Sequence, residues 1–307
     1  MNGTRFGRRK LLLTATALIV AGPVGRASAV PARIAPWRSA GGFEIRPLVD
    51  ASGPFFISRQ AAFPDATAVD WVRARRVDPA AFGPDDQWLL DFRCFVVRGP
   101  RDRLMLVDTG VGPADSPAKA WAPVPGKLPA ELERAGIDPR DVDTVVLTHL
   151  HEDHYGWAVL PGGTPLFPNA RYVVQHREVD ALPAGDVALS YIVDPLRAAG
   201  QLDEVAGAAC LAKAPGRGGS IRVVPTPGHT PGHQSVIVEG RHEQVIVTGD
   251  VLVHAVQLVD PSVSYAFESD VDTARRTRTT LLGEARTNRA TLATAHLRHP
   301  FIDLAPL

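Results

Sequence analysis

One short segment, Thr148-His149-Leu150-His151-Glu152-Asp153-His154-Tyr155-Gly156, constrains this chain more than any other. Four side chains able to bind a metal fall within six residues, directly after the apolar run Val142 to Thr148. That run reads as a buried strand of the Val/Leu type. On extended backbone His149 and His151 project the same way, as residues two apart do. A turn at Glu152 then swings Asp153 and His154 toward the opposite side of the same cavity. Imidazole with carboxylate suits zinc, and also manganese, iron or cobalt.

Further motifs follow the same logic of a strand that ends on a polar residue. Leu106-Val107-Asp108-Thr109-Gly110 and Thr248-Gly249-Asp250 each carry an aspartate just past an apolar strand run, Arg103 to Val107 and Gln244 to Thr248. Pro225-Thr226-Pro227-Gly228-His229-Thr230-Pro231-Gly232-His233 is a second histidine cluster set in turn residues. Ala295-His296 closes the last strand. His254 stands four residues past Asp250, where a neutral imidazole can donate a hydrogen bond to a developing oxyanion. His176, His242 and His299 read as ordinary polar residues.

The ordered set resembles the metallo-β-lactamase superfamily, whose signature is H-x-H-x-D-H after a strand, and spans Asp108 to His296. The resemblance implies that His149, His151 and His229 hold one metal and Asp153, His154 and His296 the other. Asp250 bridges both, and the metals are two divalent ions, zinc first, with manganese, iron or cobalt as alternatives. It implies a hydrolase in which a metal-bridging hydroxide attacks a small neutral ester or lactone, with Asp153, Asp250 and His254 as catalytic residues. Asp108 is expected to fix the histidine loop from behind, as outer carboxylates orient imidazoles. His233 is expected to lie behind the ligands as well. In layout the chain is most similar to methyl-parathion-hydrolase-like and quorum-quenching-lactonase-like enzymes, although the lactonase tyrosine three residues after the bridging aspartate is Val253 here. Phosphotriester cleavage is the alternative activity, followed by thioester cleavage and iron-dependent persulfide oxidation. A non-catalytic metal-binding protein is the remaining class.

Around these motifs the pattern is mixed. Strands read at Gly42 to Val49, Trp88 to Val97, Arg103 to Val107, Ala170 to Gln175, Ile221 to Pro225, Gln234 to Val238, Gln244 to Thr248 and Ala290 to Ala295. Helices read at Leu128 to Ala135, closed by Gly136, and at Asp272 to Thr287. Gly53 to Pro64 reads as a loop or hairpin. Strands come in runs with helices between, so the expected fold is α+β: a four-layer αβ/βα sandwich, two mixed sheets face to face with helices outside. Phe55, Phe56, Phe63 and Trp71 are candidates to line an apolar substrate site.

The amino terminus reads differently. Arg8-Arg9-Lys10, the apolar run Leu11 to Gly22 and Ala27-Ser28-Ala29 follow the order of a basic region, a short hydrophobic region and a cleavage site. The paired arginines resemble a twin-arginine leader. The expectation is a leader over 1–29, a catalytic domain over 30–307, and a periplasmic or secreted enzyme. The apolar run is shorter than the roughly 20 residues of a span, so no stable membrane span is expected after leader removal. A formal net charge of +0 gives no electrostatic case for nucleic acid, and the expected partner is a small-molecule substrate. The oligomeric state is unknown from the sequence. Cys94, inside an apolar strand, and Cys210 are expected to be separate thiols.

Overall fold

The computed structural model describes residues 37–216 and 218–304. The leader read at 1–29 lies outside the described residues. The first sheet is built from β1 (Arg38–Ala40), β2 (Phe43–Ser58), β3 (Gln87–Arg98), β4 (Leu104–Val107) and β5 (Val142–Val146). A small hairpin, β6 (Val159–Leu160) with β7 (Thr164–Pro165), follows, and β8 (Arg171–Gln175) and β9 (Leu202–Val205) complete the first sheet. Its order is β1-β2-β3-β4-β5-β8-β9. The second sheet runs in chain order through β10 (Ala209–Ala214), β11 (Gly219–Pro225), β12 (Gln234–Glu239), β13 (Gln244–Val247), β14 (Thr291–Ala293) and β15 (Phe301–Asp303).

The first sheet is antiparallel from β1 to β4 and parallel from β4 through β9. β4 and β5 lie in the middle of the sheet, buried on both faces, and so read as near-continuous apolar runs rather than alternating ones. Helices supply the crossovers. The longest, Val271–Asn288, joins β13 to the parallel β14, and its Asp270 side chain caps the first turn by accepting from the Thr273 amide at 2.9 Å. It turns Ala274, Leu281, Leu282 and Ala285 inward.

The segment Gly53 to Pro64, read as a loop or hairpin, is a correction: β2 continues through it to Ser58. The apparent breakers are tolerated because β1 covers β2 only as far as Ile45. Among the described residues no strand pairs with that edge of β2 past Ile45, so Pro47 and Pro54 lose no ladder bond on that side. Register shifts between Val49 and Ala51 and between Pro54 and Ser58 bend the strand over the site.

Valine, isoleucine and phenylalanine from the two inner faces meet in the middle, among them Ile45, Phe95, Val107, Val146, Ile221, Val236, Val238 and Val247. Each such side chain contributes roughly 1.5–3 kcal/mol on full burial. Two outer clusters pack the sheets against their helices, giving the four layers expected. Cys94 is a buried free thiol in β3, and Cys210 an exposed one in β10. No described helix is long and apolar enough to cross a membrane.

Candidate metal centre

Every chemistry-bearing motif sits where a strand stops. Asp108 follows β4, His149 follows β5 after Leu147 and Thr148, His229 lies between β11 and β12, Asp250 follows β13, and His296 follows β14. In an open parallel arrangement these carboxyl ends are the natural place for a site. After His151 the chain turns into a single helical turn, Glu152–Tyr155, which brings Asp153 and His154 to the far side of the cleft.

Three ring nitrogens converge on one point: His151 Nδ1 lies 3.0 Å from His149 Nε2 and 2.9 Å from His229 Nε2. A second point is faced by His154 Nε2, His296 Nε2 and Asp153 Oδ2, with the carboxylate oxygen 3.5 Å from each nitrogen. Asp250 stands between them. Its Oδ1 lies 3.4 Å from His154 Nε2 and 3.1 Å from His296 Nε2, while its Oδ2 lies 3.4 Å from His229 Nε2.

The partners behind the rings decide what faces inward. His154 Nδ1 donates to Asp108 Oδ2 at 2.9 Å, and His296 Nδ1 donates to the Asp91 carbonyl at 2.9 Å. Thr148 Oγ1 donates to Asp108 and lies 3.1 Å from His149 Nδ1, which it can accept from. These contacts place the protons on Nδ1 and turn the Nε2 lone pairs of His149, His154 and His296 into the cleft. Lone pairs then face lone pairs and carboxylate oxygens. His154 Nε2 and Asp250 Oδ1 are buried with no hydrogen-bond partner. The donor set fits divalent metal ions, whose charge would satisfy the inward nitrogens and carboxylate oxygens together.

The electrostatics differ across the cleft. Burial, reinforced by neighbouring imidazoles, holds His149 and His229 well below the usual histidine range. Burial also disfavours charge on His154 and His296, yet Asp153 and Asp250 beside them prevail and push both upward. His233 is held neutral by burial, down to about 3. It accepts from the Asp250 amide through Nε2 at 2.9 Å, and its Nδ1 meets Thr226 Oγ1 at 2.8 Å. It thus stands behind Asp250 rather than in the cleft. Asp108 stands behind His154 at a left-handed φ of 60° and also accepts from the Thr148 amide at 2.8 Å.

Sequence reasoning missed the groups that tie the loops together. Glu178 is buried and accepts from the Leu150 amide at 2.9 Å and the Gly232 amide at 2.8 Å, joining the two histidine loops. Gly232 is required there, since a Cβ would lie 2.1 Å from the Glu178 amide nitrogen. Arg93, fully inside β3, donates to the carbonyls of Thr294 at 2.7 Å and Leu297 at 2.8 Å, bracketing His296. Its other arm meets Asp91, which Ser52 and Arg298 also hold.

Above the cleft lies a cavity of about 400 Å³. His151, Asp153, His229, Asp250 and His296 form its floor, and Phe55, Phe56, Trp88, Leu90, Trp121 and Phe267 its apolar walls. Tyr265 joins the wall with its ring stacked on His229 at 5.9 Å and 13°. Of the four aromatics expected at an apolar substrate site, Phe55 and Phe56 line this cavity, while Phe63 and Trp71 do not. They pack with Phe82 and Trp88 around His254, whose ring centroid lies 5.2–5.6 Å from all four. The expected oxyanion role of His254 is accordingly corrected. The ring is buried outside the cavity wall, and its Nδ1 accepts from the Val256 amide at 3.0 Å, capping the helix Ala255–Val259. Its proximity to Asp250 in sequence does not carry across the turn Gly249–Val251. His176 is exposed and paired with Glu204.

Comparison with known proteins agrees with this geometry. The N-acyl homoserine lactonase AttM of Azorhizobium caulinodans is 36% identical over 112 residues, covering 36% of this chain and 40% of that protein. AttM of Rhizobium radiobacter is 29% identical over 187 residues, covering 54% and 62%. The chain thus matches less than two-thirds of the length of either relative. Among solved structures, hydrolase AbOPH of the beta lactamase superfamily superposes with a TM-score of 0.69 at 24% identity, covering 87% of this chain and 91% of that one. AidC, a dizinc quorum-quenching lactonase in complex with a product, gives 0.68 at 20% identity, covering 88% and 94%. At such identities these two speak for the fold. A profile of the metallo-beta-lactamase superfamily matches residues 93–296, from within β3 to the last inward-facing histidine. The chain belongs to the metallo-β-lactamase superfamily.

Proposed function

We propose that this protein is a metal-dependent hydrolase that opens small neutral lactones and esters at a two-metal centre. His149, His151 and His229 would hold one ion and Asp153, His154 and His296 the other, with Asp250 placed between the two groups. The observation that carries this is the convergence of buried imidazole and carboxylate donors on two points with Asp250 between them. Zinc is the expected metal, from the mixture of imidazole and carboxylate donors. Held there, a pair of divalent ions supplies the charge that activates a water and polarises a carbonyl or phosphoryl oxygen.

The chain's own residues do the rest. Aromatic walls exclude bulk water and seat an acyl or aryl group over the floor. Asp153, on that floor, is placed to take a proton and return it to the departing alkoxide. No serine or cysteine lines the cavity among the described residues, so direct attack by water is the route rather than an acyl-enzyme. Support for lactones comes from the lactonase relatives and from a largely apolar cavity wall. The same wall admits a neutral phosphotriester, which is the second reading. Residues 1–29 are proposed as an export leader and 30–307 as the catalytic domain, working in the periplasm or outside the cell.

The test is turnover of lactones, aryl esters and phosphotriesters by protein of measured metal content. About two equivalents of metal per chain are expected, and His149→Ala or Asp250→Ala loses metal and activity together. In heavy-oxygen water the label enters the acid product within a single turnover. Full activity in metal-free protein, or one iron with sulfur oxidation in place of hydrolysis, refutes the proposal.

A further inference from the structure

The two halves of the metal centre are built unequally. Asp153, His154 and His296 face one point, and His149, His151 and His229 face the other. The first group carries a carboxylate of its own, Asp153 Oδ2, at 3.5 Å from both ring nitrogens. Asp250 leans to the same side, its Oδ1 lying 3.1 Å from His296 Nε2 and 3.4 Å from His154 Nε2. Toward the second group its Oδ2 lies 3.4 Å from His229 Nε2 and 4.0 Å from His149 Nε2. That group has three imidazoles and no carboxylate beyond this shared one.

The backing differs in the same sense. The Asp108 carboxylate accepts from His154 Nδ1 and the Asp91 carbonyl from His296 Nδ1, each at 2.9 Å. The loop carrying His296 is fixed further, since Arg93 donates to the carbonyls of Thr294 and Leu297, and Asp78 accepts from the Arg298 amide at 2.8 Å. In the three-histidine group His149 has Thr148 Oγ1 behind it at 3.1 Å, whereas His229 Nδ1 is buried with no partner. A ring that coordinates through Nε2 carries its proton on Nδ1, so His229 turns inward at the cost of an unpaired buried N–H. A divalent ion gains most where two carboxylates face it and its ligands are already oriented. Those carboxylates also favour protons on His154 and His296, which an ion of twice the charge displaces. Once seated, the first ion repels a second that must share Asp250 with it. We infer that the two ions load in order: the Asp153, His154 and His296 group fills first, and the His149, His151 and His229 group second and about 100-fold or more weakly. Partners that orient ligands are alone worth about 10–100-fold in metal affinity, and the extra carboxylate adds to that. A one-metal protein is then a stable state, and the free metal concentration sets how much of the protein holds the complete centre. This rests on the two-metal reading proposed above.

The test titrates metal-free protein, prepared by dialysis against a chelator, with zinc in a calorimeter and in competition with a chelator of known affinity. Two steps of about one equivalent each are expected, with Kd values about 100-fold or more apart. Crystals grown with a single equivalent of zinc should place its anomalous signal among Asp153, His154 and His296. His229→Ala should abolish the weak step and leave the tight one, whereas His296→Ala should abolish the tight one. Two steps of equal affinity, or a first ion seated among the three histidines, overturns the inference. If protein loaded with one equivalent already turns over substrate at the full rate, the two-metal reading of the hydrolase fails and the loading order stands. Should a variant lose its fold, the position of the single ion in wild-type crystals decides.

Discussion

Removing the Glu178 carboxylate should loosen the metal centre without touching a single ligand. Its two oxygens bind the Leu150 and Gly232 amides at 2.9 and 2.8 Å, in a site where the residue is 3% exposed. Hydrogen bonds to a charged acceptor are worth about 1.5–3 kcal/mol each, and an abandoned buried amide adds a desolvation cost. Glu178→Gln keeps one acceptor and sets an NH₂ against the other amide, so about 2–3 kcal/mol of stability should go. For a domain of this size that is a fall of roughly 4–10 °C in melting temperature. The Leu150 amide lies between His149 and His151, and Gly232 lies three residues past His229. Both histidine loops therefore lose their common anchor, and metal affinity should drop about 10–100-fold, as for other partners that orient ligands. Urea unfolding of the metal-replete protein measures the first effect, and competition with a metal buffer the second. A variant with unchanged stability and unchanged metal affinity shows that Glu178 does not tie the loops, and the account of their placement fails.

Asp108→Asn should be tolerated by the backbone, since Asn accepts the left-handed φ of 60°, yet it presents an amide where His154 Nδ1 needs an acceptor. Metal titration should show one of two equivalents weakened about 10–100-fold, with the fold intact. His254→Asn, which keeps a helix cap, should leave kcat within about threefold, because the imidazole is outside the cavity. Burial, helped by Arg59, lowers the His254 pKa to about 3 from an ordinary value near 6.5, so the folded state resists protonation. Wild type therefore keeps its full stability above pH ~6.5 and loses it progressively toward pH ~3, and the Asn variant should lose less across that window in paired unfolding curves. Arg8→Lys with Arg9→Lys should leave a precursor with its leader in the cytoplasm, and exported wild type should begin near Val30 by amino-terminal sequencing.

The sequence carried the ligands because each is announced by a strand ending on a polar residue, and strand ends are local. His149, His151, Asp153 and His154 needed no more than their clustering after a strand, whereas Asp250 and Asp108 were picked out through the resemblance of the ordered motifs. Glu178 and Arg93 were illegible for the opposite reason. Glu178 sits in the five-residue helix His176–Asp180, and Arg93 in a largely apolar strand where only Asp91, two residues back, hints at its pairing. Their partners lie at Leu150, Gly232, Thr294 and Leu297, distances along the chain that no periodicity encodes. The extension of β2 past Gly53 was hidden similarly. Prolines stop a strand only where both edges are paired, and the pairing of an edge is a property of the sheet.

His254 and Tyr265 show how nearness along the chain misleads at a site built from loops. His254 is four residues from Asp250, but the turn Gly249–Val251 redirects the chain and sends the imidazole into a box of four aromatic rings. Tyr265, fifteen residues beyond Asp250, lies on the cavity wall against His229. Burial, with Asp250, Asp153 and Glu268 nearby, holds its phenol protonated far above neutral pH. A phenol that keeps its proton is a hydrogen-bond donor for a substrate carbonyl. The position three after the bridging aspartate is Val253, buried at 1% exposure in the outer core, so a tyrosine there is not what equips this cavity. Tyr265 and Glu268, both lining the cavity, come instead from one stretch of chain three residues apart. A single loop between two helices can thus set the polarity of the cavity while the strands that hold the metal ligands stay fixed.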